Sequence, residues 1–163
     1  MKKYLIPSIV IIIIIAALFA FNRKTEVISP SSVTEIYQNT HFFSFQHAST
    51  THIAESSTEK GDLVMVNAAQ GIFQIYITAY DEDPPTLSVE RIIKDIPELQ
   101  IKDSKLITVT TGLEGLSFIS ENESGKETRE IWFVNRGFLY QISALIESEL
   151  FLEETIKTWK VID

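Results

Sequence analysis

Apolar and polar residues alternate with a period of two over much of the chain after residue 60. In Phe73 to Ala79, Phe73, Ile75, Ile77 and Ala79 share one face and Gln74, Tyr76 and Thr78 the other. Phe138, Tyr140, Ile142, Ala144 and Ile146 repeat the pattern opposite Leu139, Gln141, Ser143 and Leu145. Alternation of this kind predicts strands with one face on a core. Further strands are expected at His41 to His47, Asp62 to Ala68, Lys105 to Thr111, Leu116 to Ser120 and Arg129 to Val134. Asn135-Arg136-Gly137 and Glu123-Ser124-Gly125-Lys126 read as hairpin turns, so the last strands pair antiparallel.

Twice the period changes to that of a helix. Val89, Ile92, Ile93 and Ile96 fall at i, i+3, i+4 and i+7 after an expected N-cap at Thr86, and Pro97 ends the stretch because the residue before a proline avoids helical angles. Leu152, Ile156 and Trp159 form a second stripe after an expected N-cap at Ser148. Each stripe needs a sheet face to cover. The expected fold class is therefore α+β: an antiparallel sheet of about six or seven strands flanked by two helices, following an N-terminal transmembrane helix.

That first helix is expected from the one stretch with no polar alternation, Leu5 to Phe21 (LIPSIVIIIIIAALFAF), which carries no charge and follows Met1-Lys2-Lys3. Its seven Ile, two Leu, two Phe and one Val contribute roughly −4 to −7 kcal/mol to insertion. A helix of this run would be about 25 Å long, close to the roughly 30 Å hydrocarbon core, with Tyr4, Lys3, Arg23 and Lys24 placed to reach the interfaces. A cleaved signal peptide is the competing reading. The run is longer than the usual apolar region of one, and Ala17-Leu18-Phe19-Ala20 puts bulky residues where a cleavage site needs small ones. Lys2, Lys3 and the terminal amine against Arg23 and Lys24 favour the N-terminus inside and the domain outside, so a single-pass protein of the cell membrane with an extracytoplasmic domain is expected.

Charge sharpens the division. All 22 acidic residues lie after Phe21 with 12 of the 14 basic ones, a net of −10 on the part beyond the run. An acidic surface repels phosphate backbones, so no nucleic-acid role is expected. The expected organisation is an anchor at 1–21, a polar linker at 22–40 that includes Ser29-Pro30-Ser31-Ser32, and one α+β domain at 41–163. The chain has no cysteine, which excludes a lipoprotein anchor and disulfides.

The order of elements, through FFSF, GDLVMV, FQIYITAY, a helix, ITVTTGLEGLSFIS, REIWFV, FLYQISAL and a final helix ending in TWKVI, resembles the PsbP-like fold over His41 to Asp163. That fold occurs in extrinsic photosystem II subunits, in a Ran-binding nuclear transport protein and in small bacterial exported proteins. The resemblance brings no catalytic motif and implies docking or assembly rather than chemistry.

The residues themselves point the same way. His41, His47 and His52 are the only histidines; on one extended strand His41 and His47 would stand about 20 Å apart, leaving only His47 with His52 and Glu55 to converge. Asp81-Glu82-Asp83 lacks the glycine and distant glutamate of an EF-hand loop and reads as an acidic lead into a helix. Gly112-Leu113-Glu114-Gly115-Leu116-Ser117 is not a nucleophile elbow but a turn between strands, and Glu153 and Glu154 read as solvated helix residues. Asn122-Glu123-Ser124 matches a glycosylation sequon. Tyr76, Tyr80 and Trp132 could anchor an interface or fill a core, with burial favoured. No catalytic, cofactor-binding or metal-ligating residue is assigned, and no cofactor is expected. The expected function is a non-enzymatic, membrane-tethered extracytoplasmic binding or assembly module with a protein partner; the alternative is an extracytoplasmic sensor domain for a small ligand or cation.

Overall fold

The structure is a computed structural model and describes residues 34–41, 43–81, 87–122 and 124–162. Its strands are β1 (Thr34–Asn39), β2 (Phe43–Ala48), β3 (His52–Thr58), β4 (Gly61–Ala68), β5 (Gly71–Ala79), β6 (Lys102–Thr110), β7 (Leu113–Glu121), β8 (Glu127–Asn135), β9 (Phe138–Leu145) and β10 (Lys160–Val161). The helices are α1 (Val89–Asp95) and α2 (Glu149–Ile156), the second entered through a 3₁₀ turn at Ile146–Ser148.

Two antiparallel sheets result. The larger has seven strands in the order β3-β4-β5-β9-β8-β7-β6, and the smaller has three in the order β1-β2-β10. Tight hairpins build β3-β4-β5 and β6-β7-β8-β9 as separate meanders, and the connection from β5 through α1 to β6 sends the second meander to the far side. The β8–β9 turn shows the local chemistry. Arg136 and Gly137 both take positive φ, 51° and 77°, which is the geometry a two-residue hairpin needs to match strand twist.

The alternating pattern places the core as expected. Phe73, Ile75, Ile77, Ile131, Phe133, Tyr140, Ile142 and Ala144 are all buried on one face of the large sheet. Phe43 and Phe45 of β2, Leu152 and Ile156 of α2, and Trp159 close over them. Trp159 stacks on Phe43 at 4.4 Å between centroids and 7° between planes, and Phe133 stacks on Tyr140 at 4.8 Å. The Tyr140 hydroxyl donates to the His41 carbonyl at 2.6 Å, tying the β1–β2 turn to the large sheet. Gly71 lets α2 approach: a Cβ there would lie 2.8 Å from the Ser148 side chain, whose oxygen accepts from the Ile72 N–H at 3.2 Å.

Several elements differ from the sequence expectation. Residues 34–39, inside the stretch read as linker, pair with β2 from Thr34↔Ala48 to Asn39↔Phe43, and this makes a second sheet instead of one. β3 was not expected because its residues are mostly exposed and polar, which erases the alternation at a sheet edge. β10 is two residues long and held by β2 alone. Helix α1 is capped by Ser88, whose oxygen accepts from the Arg91 N–H at 3.2 Å, and the expected cap Thr86 lies outside the described residues. Ser148 precedes α2, but its side chain is committed to Ile72 and makes no cap bond, and Trp159 lies beyond the helix end. No helix among the described residues is long and apolar enough to cross a membrane, and the run Leu5 to Phe21 lies outside them.

Trp159 is 3% exposed, and its indole N–H has no partner among the described residues. Trp159→Ala is expected to cost about 3–5 kcal/mol in urea unfolding, because it empties the space over Phe43. Trp159→Phe keeps a ring in the stack and should cost less than half as much.

Candidate functional site

The second face of the large sheet is where polar chemistry collects. Side chains one residue out of step with the aromatic core point this way, and the strand register sets them in rows. Gln74 of β5 lies opposite Ser143 of β9, which lies opposite Glu130 of β8. In the adjacent row Tyr76 lies opposite Gln141, which lies opposite Trp132. On the β7–β8 side this face is covered by α1 and the segment around it, where Ile92 and Ile96 bury against Leu116, Phe118 and Trp132.

Glu130 sits in the middle of the sheet and is buried. Its Oε1 accepts from Thr128 at 2.7 Å, Ser143 at 2.8 Å and Ser120 at 3.3 Å, and its Oε2 accepts from the Trp132 indole at 3.2 Å. Burial pushes the carboxyl above the usual glutamate range, against the downward pull of these four donors. The hydroxyls can turn to accept as well as donate, so the cluster can also satisfy a protonated carboxyl.

Beside this satisfied cluster lies a patch that is not satisfied. Gln74 Oε1, the Tyr76 hydroxyl and Gln141 Nε2 find no hydrogen-bond partner among the described residues. These residues are 6%, 9% and 6% exposed. A buried polar group left this way costs about 1–3 kcal/mol, so three together represent a substantial local cost. Burial also raises the Tyr76 hydroxyl, with the Asp62 carboxylate adding to it.

The residues singled out in the sequence go elsewhere. His41 pairs with Asp62 and meets the edge of Phe138, joining the β1–β2 turn to β4. A Ser57 hydrogen bond, with His41 behind it, holds the Asp62 carboxyl below its usual range against partial burial. His47 turns Nδ1 to its neighbour's carbonyl, Ala48 O, at 2.9 Å, His52 is exposed, and Glu55 accepts from Tyr37 at 2.8 Å. The three do not form a ligand set, and no metal-binding group of three or more such residues exists among the described residues. Asp81 is exposed, while Glu82 and Asp83 lie outside the described residues. Asn122 closes the β7–β8 turn by accepting from the backbone N–H groups of Ser124 and Lys126, each at 2.9 Å. Tyr76, Tyr80 and Trp132 are buried.

No family model matches the chain, and no curated protein does. Solved structures do. The solution structure of the cyanobacterial PsbP, CyanoP, from Synechocystis sp. PCC 6803 superposes with a TM-score of 0.55 at 9% identity, over 87% of this chain and 99% of that one. The chain has a PsbP-like fold. A protein of Bacteroides thetaiotaomicron VPI-5482, solved at 1.50 Å, aligns with a TM-score of 0.50 at 15% identity, over 75% of this chain and 46% of that one. Identities this low establish the fold of the PsbP-like domain and nothing finer.

In the PsbP-like domain the residues that sequence reasoning missed are Glu130, Gln74 and Gln141. The available signal was Glu130 within the otherwise apolar run Glu130-Ile131-Trp132-Phe133-Val134, where a charge on a central strand must be paired or neutral.

Two of the shifted carboxyls, Glu130 and Asp62, make stability depend on pH in opposite senses. The folded state binds the Glu130 proton more tightly than the unfolded chain, so raising pH above 4.5, the ordinary value, lowers stability until the folded-state value is passed. Glu130→Gln should flatten that fall in urea titrations across pH. Glu130→Leu should cost about 2–4 kcal/mol, since Ser120 and Thr128 can bond to each other but Ser143 and the Trp132 indole are orphaned. Asp62 acts in the opposite sense: its stabilisation is complete above 3.8 and is lost as pH falls through its lower folded value, a loss that Asp62→Asn should remove.

Proposed function

We propose that this protein is a membrane-tethered binding or assembly module that works outside the cytoplasm and performs no catalysis. The observation that carries this reading is the pairing of an uncharged apolar run, Leu5 to Phe21, with a PsbP-like domain. The run supplies an address at a membrane, and the acidic balance of the remainder keeps the domain soluble beside it.

The interior of the domain supports the same reading. The buried charged side chains among the described residues are engaged in holding the fold: Glu130 by four donors, and Arg129 by Glu149, whose Oε1 lies 2.6 and 2.7 Å from two guanidinium nitrogens. A charge pair of this kind fixes the start of α2 against the sheet and is strongly destabilising when broken, which suits a rigid docking body.

The full chain is expected to stay with washed membranes in alkaline carbonate, and a version lacking residues 5–21 to be released. Protease added outside intact cells should degrade the domain, and photo-crosslinking in the native membrane should capture one defined protein. Sparing of the domain would reverse the topology, and turnover of any substrate in a broad hydrolase panel would overturn the non-catalytic assignment.

A further inference from the structure

We propose that Gln74, Tyr76 and Gln141 form a binding site for a small uncharged molecule that presents a hydrogen-bond donor beside an acceptor, as a primary carboxamide does. This goes beyond the docking role and stands on a separate observation. Buried side-chain polar atoms without a partner are scattered singly through the described residues at Thr51, Asn122, Arg129 and Trp159, but three converge on this patch. They belong to neighbouring positions of two paired central strands, with Tyr76 directly opposite Gln141 and Gln74 one row away.

The fold is able to satisfy buried polar groups on this same face, as the four donors to Glu130 demonstrate. Structure alone would be better served by apolar residues at the three positions, since an unmet buried group costs more than its apolar replacement. A molecule that occupies the patch removes that cost.

The unpartnered atoms define the ligand class. Gln74 offers an acceptor, Gln141 a donor, and Tyr76 a hydroxyl that can be either. Leu63 and Met65 of β4 lie opposite Tyr76 and Gln74, and Trp132 lies opposite Gln141, so apolar side chains flank the three polar groups. Two carboxyls belong to the surroundings of the patch. The Asp62 carboxylate acts on Tyr76, so an anion is repelled, and Glu130 stands beyond Ser143. Both are already engaged, Asp62 by His41 and Ser57 and Glu130 by its four donors, so a cation finds no free ligand.

Acetamide, acetate and ethylammonium provide neutral, anionic and cationic probes of nearly equal size. In ¹⁵N NMR of the full chain in detergent, acetamide is expected to shift the side-chain amide signals of Gln74 and Gln141 saturably, with at least tenfold weaker responses to the two ions. The double variant Gln74→Leu, Gln141→Leu, followed through the backbone amides of Ile75 and Ile142 in both proteins, should lose acetamide binding at least tenfold with Tm unchanged or raised. A lack of saturable response to acetamide, equal responses to all three probes, or undiminished binding by the folded double variant would each overturn the proposal. Membrane retention and partner capture are unaffected by either result, so this site and the docking role fail independently.

Discussion

The pairing of β5 with β9 is the contact on which the rest of the molecule depends. Each meander forms from short hairpins between neighbours in sequence, and neither buries a complete face alone. Joining them brings Phe73 opposite Ala144 and Ala79 opposite Phe138, residues roughly 60 to 70 positions apart. Closing so large a loop is entropically unfavourable, and the compensation is a continuous aromatic core that exists only when both meanders share one sheet. Once the register is set, a slip by one residue would turn Phe73, Ile75 and Ile77 to the wrong face, so the alternation locks the pairing.

The same register builds the polar face. Because side chains alternate, every residue that places an aromatic group in the core obliges its neighbours to face the other way. Glu130 is out of step with Ile131 and Phe133, and Gln74 and Gln141 are out of step with Ile75 and Tyr140. The fold resolves Glu130 with hydroxyls and an indole, and leaves the glutamine patch without hydrogen-bond partners among the described residues. One interface thus produces both the main stabilising core and the place where recognition is proposed.

The small sheet extends this logic to the chain ends of the domain. β2 carries Phe43 and Phe45 against Trp159, and β10 returns to pair with β2 at Ser44 and Phe43. His41 with Asp62, Tyr37 with Glu55, and Tyr140 with the His41 carbonyl then fasten this layer to the larger sheet. The proposed tether joins the domain just before this fastened layer, so any pull from the membrane side would be carried into the core through β1 and β2.

The sequence by itself determined whatever depends on local periodicity. The strands β4, β5, β8 and β9, the hairpin at Asn135-Arg136-Gly137, the two helices and the aromatic core face were legible, because alternation and stripe spacing report which side of an element avoids water. The PsbP-like order of elements followed from them. The tertiary structure alone decided what depends on partners distant in the chain. β1 and β10 are strands because β2 lies between them, and β3 because β4 supplies its hydrogen bonds. Ser148 gave up its capping role when Gly71 brought Ile72 within reach. The burial of Glu130 and the isolation of Gln74, Tyr76 and Gln141 are likewise properties of strand register and covering elements. A polar residue in a strand looks the same in sequence whether it faces water or the interior.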